Sequence, residues 1–157
     1  MTARGYFGIG ICNTKSALNV GGLWRSAHNF GADWIFTIGK RYRTQASDTT
    51  KAAKHVPLYE FTDFADFREH TPRDCLIVGV ELDPRAVMLP DFAHPERAVY
   101  VLGAEDYGLP PDVIQHCHRL VRIPGAIRCL NVATAGSIVL YDRTTRGTSR
   151  AATGRAA

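Results

Sequence analysis

No run in these 157 residues approaches the ~18 apolar residues in a row that a membrane span requires. The opening MTARGYFGIGIC carries one arginine and a short apolar run broken by glycines, without a small-residue cleavage site, so it does not read as a signal peptide. Cysteine is sparse. Cys12, Cys75, Cys117 and Cys129 fall at no CxxC spacing and are read as reduced thiols of a cytoplasmic protein. His116, Cys117 and His118 stand together, but alternating positions diverge on a helix and no second ligand cluster follows, so no metal is expected. Neither a GxGxxG turn after a strand nor GxxxxGK[ST] is present. Gly5, Gly8 and Gly10 lie before or within a strand, which gives little support to a nucleotide-binding oxidoreductase or a P-loop enzyme. There is no internal repeat and no linker that splits the chain.

What is present fits one domain with a real core: 45% apolar and 22% charged residues. The net charge of +4 is unevenly spread, with balances of +6 over residues 1–57, −8 over 58–118 and +6 over 119–157. If the two basic ends meet in the fold, they build a positive face suited to a polyanion. Nearly continuous apolar runs predict strands at 6–12, 34–39, 75–82, 98–103 and 119–124, with a weaker strand at 56–61. Helical patterns lie between them. Residues 19–31 place Val20, Leu23, Trp24, Ala27 and Phe30 on one stripe ending at Gly31. Residues 62–70 open with Thr62 as a cap, 110–118 open with two prolines, and a last helix covers 133–143. Alternating strand and helix predict an α/β fold with a mostly parallel sheet and helices on both faces. A domain over 1–143 would then be followed by a mobile basic tail, 144–157, with Arg146, Arg150 and Arg155 and no aliphatic side chain larger than alanine.

Ligands of open α/β sheets gather beyond the C-terminal ends of the strands. Three loops at such places hold unusual residues. In NTKSALNVGGLWR, Asn19 stands where a helix N-cap is expected, and the costly pair Gly21–Gly22 would let a backbone or ligand approach, with Arg25 on the same helix. One option there is a helix N-terminus that receives a phosphate, and the other is a capped helix with a surface arginine. In VLGAEDYGLPPDVI, Gly103 ends a strand, Gly108 permits a turn, and Glu105 and Asp106 stand between them. In IPGAIRCLNVATAGSIVLYD, Asn131 can cap a helix made thin by Ala133, Ala135, Gly136 and Ser137, which suits close packing.

In this order the three loops resemble the three signature motifs of the SpoU (TrmH-type) branch of the SPOUT RNA methyltransferases, over residues 6 to 143. The resemblance implies an α/β sheet whose C-terminal part forms a trefoil knot, and S-adenosyl-L-methionine as cofactor. It also implies a homodimer that works without metal or membrane, and 2′-O-methylation of ribose in RNA, tRNA in preference to rRNA. Carried over position by position, it implies Arg25 as the catalytic arginine, with Asn19, Glu105 and Asn131 orienting it and the loops. Leu102, Gly103, Ile123, Cys129 and Leu130 would hold the cofactor, chiefly through backbone groups. The family pattern usually has serine at the positions of Cys129 and Ala133, and a thiol is the weaker hydrogen-bond partner. A non-catalytic RNA-binding module of the same fold is the alternative that this departure motivates.

Overall fold

Among the described residues, Val, Ile and aromatic runs form seven strands: β1 (Tyr6–Cys12), β2 (Trp34–Ile38), β3 (Leu58–Phe61), β4 (Leu76–Val80), β5 (Val87–Met88), β6 (Arg97–Leu102) and β7 (Arg119–Arg122). Four α-helices accompany them among the same residues: α1 (Ala17–Asn29), α2 (Phe64–His70), α3 (Pro111–His116) and α4 (Val132–Arg146). The computed structural model describes residues 5–39, 51–125 and 127–148. Every pairing among these seven strands is parallel, in the order β3-β2-β1-β6-β4-β7-β5. The α/β class expected from the sequence therefore holds. The weaker run at 56–61 is the edge strand β3. The extra strand, β5, has two residues, too few to leave a period in the sequence.

Alternation along the strands sorts the core into two faces. Phe7, Ile9 and Ile11 of β1, with Tyr100 and Leu102 of β6, face α1 and α4 and pack with Leu23, Ala27, Val139 and Leu140. Val99 and Val101 of β6, with Trp34 and Phe36 of β2, pack on the other face with Phe67 of α2 and Val113 of α3. Gly8 and Gly10 leave room on that second face for aromatic rings. A Cβ at Gly8 would lie 2.5 Å from the Trp34 ring, and one at Gly10 would lie 2.4 Å from the Phe36 ring. The glycines of this strand thus belong to packing.

The caps differ from the expected ones. Helix α1 begins two residues before Asn19, and Ser16 is its cap, accepting a hydrogen bond from the Asn19 N–H. That shift places Asn19 in the first turn, where its side chain points at neighbouring loops. Asp63, and not Thr62, caps α2, and the carboxylate of Asp66 reaches back to the N–H of Thr62. Of the glycine pair, Gly22 serves helix packing. A Cβ at Gly22 would stand 3.2 Å from the Ala133 Cβ, and one at Gly136 would meet the Leu23 Cδ1 at 2.5 Å. Ser26 and Ser137 hydroxyls bond across the same seam at 2.7 Å. The thin face of α4 is therefore filled by α1.

Helix α4 runs three residues beyond the expected domain end, through Arg146, and the rest of the proposed tail from residue 149 lies outside the described residues. The extension has a physical cause. Arg146 donates to the carbonyls of Leu89, Pro90 and Phe92 and pairs with Asp142. Arg143 is 2% exposed; its guanidinium lies 4.3 Å from the Phe7 ring centroid and donates to the carbonyls of Pro95 and Glu96 and to the Tyr100 hydroxyl. His94 links Tyr100 to Asp142 through its two ring nitrogens, at 2.7 and 2.8 Å. These basic residues are used by the fold, so they add little to an RNA-facing surface.

Burial holds the His94 imidazole below its ordinary value of 6.5, against the pull of Asp142. Below pH 6.5 the unfolded chain takes up a proton that the folded chain resists, so this contribution is present above 6.5 and is lost as pH falls below it. The urea midpoint should therefore drop between about pH 7.5 and about pH 5.5. It should drop less in His94→Gln, although that variant starts lower; equal slopes for both proteins would refute the assignment.

Candidate active site

The strand order reverses between β1 and β6, and the loops after these two strands meet at that switch point. Glu105, in the turn after β6, sits at the centre of the contact. Its Oε1 accepts from the Thr14 hydroxyl at 2.7 Å and from the Asn19 amide at 2.6 Å, while Oε2 accepts from the Lys15 backbone N–H at 3.3 Å. Asn19 Oδ1 in turn accepts from the Asn131 amide at 2.9 Å, and Asn131 Oδ1 caps α4 by accepting from the Thr134 N–H at 3.1 Å. One carboxylate thus ties together loops that are about ninety residues apart on one side, and Asn19 passes the tie to a third. Burial pushes the Glu105 carboxyl upward, but hydrogen bonds from Thr14 and Asn19 outweigh it and hold the group below its ordinary value. Glu105 is therefore ionised at neutral pH and acts as an acceptor only.

At the start of α1 the Glu105 carboxylate accepts from the Lys15 N–H, one residue before the cap, and the Ser16 hydroxyl accepts from the Asn19 N–H. The carboxylate places negative charge beside that helix end. The structure brings Asn19, Glu105 and Asn131 into one network but leaves Arg25 outside it. Arg25 lies six residues after Asn19, about 9 Å along the helix axis and on another face, and is exposed. Two participants were not singled out in the sequence. Thr14, fully buried, gives no pattern of its own beside the capping serine. Glu81 looks like the end of a strand run, although its place at a strand's C-terminal end is the available signal.

Beside the network, an open cleft lies at the C-terminal ends of β4, β6 and β7. Leu102, Gly103, Ile123, Cys129 and Leu130 all line it, so these five expected positions share one cavity. Val80, Val132 and Ala135 extend its apolar wall, and its two charged lining residues are Glu81 and Arg122. Gly103 and Gly108 shape the rim: the turn doubles back through an Ala104–Gly108 bridge, and a Cβ at Gly103 would lie 2.1 Å from the Gly108 backbone. Gly108 adopts φ +66°, a conformation that favours glycine. Cys129 is exposed at the cavity edge and makes no hydrogen bond among the described residues. His116, Cys117 and His118 do not share a site. His116 Nδ1 lies on the Asp112 carbonyl, Cys117 on that of Val113, and His118 Nδ1 on the Ile77 N–H.

Comparison with known proteins agrees with this geometry. The model of the SpoU rRNA methylase family matches residues 7–141. The 23S rRNA (guanosine-2′-O-)-methyltransferase RlmB of Acinetobacter baylyi is 35% identical over 132 residues, covering 79% of this chain and 53% of the relative. Mouse tRNA (guanosine(18)-2′-O)-methyltransferase TARBP1 is 28% identical over 135 residues, 80% of this chain and 8% of the relative. The chain thus spans about half the length of the first of these relatives and a small part of the second. Among solved structures, a chain from a study of 2-OH methylation of C/U34 on tRNA superimposes with a TM-score of 0.78 at 23% identity, covering 91% of this chain and 98% of its own. The SpoU methyltransferase AviRb of Streptomyces viridochromogenes, in complex with AdoMet, gives 0.77 at 21% identity, covering 93% and 61%. Those likenesses show the same fold, and with the family model matched over nearly the whole described chain, this protein belongs to the SpoU rRNA methylase family.

Proposed function

We propose that the protein is an S-adenosyl-L-methionine-dependent RNA methyltransferase that methylates ribose 2′-hydroxyls. The observation that carries this reading is the Glu105 network, which gathers three family loops around one apolar cavity. The names of the relatives support the reaction class and the RNA substrate. The cavity suits the cofactor chemically. Leu102, Ile123, Leu130, Val80 and Ala135 offer apolar walls to an adenine ring and a thioether, and Gly103 and Gly108 bring backbone to the rim.

When bound, the cofactor supplies an electrophilic methyl on a sulfonium. The task of the chain is alignment, which in favourable cases lowers a barrier by ~7–11 kcal/mol. Leu102, Gly103, Ile123, Cys129 and Leu130 hold and enclose it. Glu105 and Asn19 fix the first two loops, and Asn131 fixes the third while capping α4. Arg25 presents a fixed fork of donors to the RNA phosphate or the target hydroxyl, which is a positioning role.

Because Arg25 stands apart from the network in one chain, the reading includes a homodimer in which Arg25 serves the other subunit's cavity. Exposed Leu18 on α1 and Tyr141 on α4 support a paired surface. It also includes the trefoil knot of the family, supported by α4, which follows β7 near the sheet edge and returns to pack on α1. A tRNA target in preference to rRNA, and a cytoplasmic location with reduced cysteines, complete it; none of the four cysteines is in a disulfide.

The test is transfer of labelled methyl from S-adenosyl-L-methionine to bulk tRNA and to rRNA, followed by nucleoside mass spectrometry. Ribose 2′-O-methylated nucleosides are expected. Methyl found only on bases, or none while the cofactor binds, would overturn the proposal. Arg25→Lys keeps the charge but loses the planar fork, and kcat should fall roughly 100-fold. Cofactor affinity by calorimetry should stay unchanged. Retained kcat would remove Arg25 from the chemistry.

A further inference from the structure

Glu81 follows β4 at the cavity wall and is not one of the positions that the family resemblance assigned. Its carboxylate is held in place from two sides: Oε2 accepts from the Leu109 N–H at 2.7 Å and Oε1 from the Leu82 N–H at 2.9 Å. A Cβ at Gly108 would lie 2.5 Å from Oε2, so the glycine lets this carboxylate seat against the turn. An ionised carboxylate has about four lone-pair sites, and these two bonds use half of them. The rest of the cavity wall is mainly apolar, with Arg122 the other charged group. A preorganised acceptor in an apolar cavity matches a ligand that brings hydroxyl or N–H donors to that spot.

We infer that Glu81 receives the ribose diol of the bound cofactor, a role that rests on the S-adenosyl-L-methionine reading of the cavity. Three other parts of the cofactor suit it less well. The amino-acid end is a zwitterion: Glu81 would attract its ammonium but repel the carboxylate beside it, so the two effects largely offset. The sulfonium loses its charge in the reaction, so an anion beside it would stabilise the ground state over the transition state and slow transfer. The adenine amine offers donors from one atom, whereas the vicinal hydroxyls offer two from adjacent carbons. An acidic side chain on ribose hydroxyls is also the solution found at strand ends in dinucleotide-binding folds. Through the Leu109 bond, the same carboxylate joins the ligand to the turn that carries Glu105.

The test is calorimetric binding of S-adenosyl-L-methionine, S-adenosylhomocysteine and 5′-methylthioadenosine to the full chain and to Glu81→Gln. Glutamine can keep the bond to Leu109 but replaces one acceptor with a donor. All three ligands share the diol, and all three should weaken by a common factor of about tenfold or more. The 2′-deoxy form of 5′-methylthioadenosine should bind the parent protein as weakly as 5′-methylthioadenosine binds Glu81→Gln, and should lose little more in that variant. A loss confined to S-adenosyl-L-methionine would place Glu81 at the sulfonium. A loss shared only with S-adenosylhomocysteine would place it at the amino-acid end, and a further full loss on the deoxy ligand would place it at adenine. Each of these results overturns the inference. If Glu81→Gln does not melt cooperatively, the deoxy ligand on the parent protein still decides, because equal affinity with and without the 2′-hydroxyl refutes a diol contact. Failure of the parent protein to bind any of the ligands would instead remove the cofactor reading itself, and the inference with it.

Discussion

One ionised carboxylate with several donors around it sets the form of the candidate site of this protein. Glu105 draws the Thr14 hydroxyl, the Lys15 N–H and the Asn19 amide towards a single point, and Asn19 hands the constraint on to Asn131. Bonds to a charged acceptor contribute about 1.5–3 kcal/mol each when sheltered, and less where water competes. Their value here is mainly geometric. Three loops that sequence alone leaves independent become one wall, and the cavity at the ends of β4, β6 and β7 has a fixed rim. The Lys15–Asp106 ion pair joins the same two loops, but its partly exposed groups make it a minor contributor.

The network depends on the close approach of α1 and α4. Gly22 against Ala133, Gly136 against Leu23 and Ser26 against Ser137 set that approach, and it brings Asn19 within 2.9 Å of Asn131. At the opposite end of α4, Arg143 and Arg146 fasten the helix to the segment from Leu89 to Glu96. The helix is therefore fixed at both ends, by an asparagine cap beside the site and, far from it, by the buried Arg143 and the exposed Arg146. Small residues between them allow the packing.

Much of this was legible in the sequence, and the exceptions have definite causes. Continuous apolar runs marked the parallel strands because strands covered on both faces need no alternation. The three loops were visible because their residues are unusual for strand ends. The cap of α1 was misplaced because Ser16 and Asn19 are both good caps three residues apart, and only the fold shows which one faces Glu105. Gly21–Gly22 looked like a ligand approach because a helix glycine carries no sign of what lies against it. Arg146 looked like part of a tail because its carbonyl partners are more than fifty residues away in the chain. Glu81 was hidden because a carboxylate ending a strand has no distinctive spacing. The five cavity positions, by contrast, came out of the family resemblance and converge on one cleft in the structure.

The central claim, that a single carboxylate holds three loops together, is tested most directly by amide hydrogen exchange on Glu105→Gln. Glutamine cannot accept from both the Thr14 hydroxyl and the Asn19 amide as a carboxylate does. Faster exchange is expected together in residues 13–19, 103–109 and 131–135, while the strands β1 and β6 keep their protection. Faster exchange confined to 103–109, with the other two segments unchanged, would contradict the account.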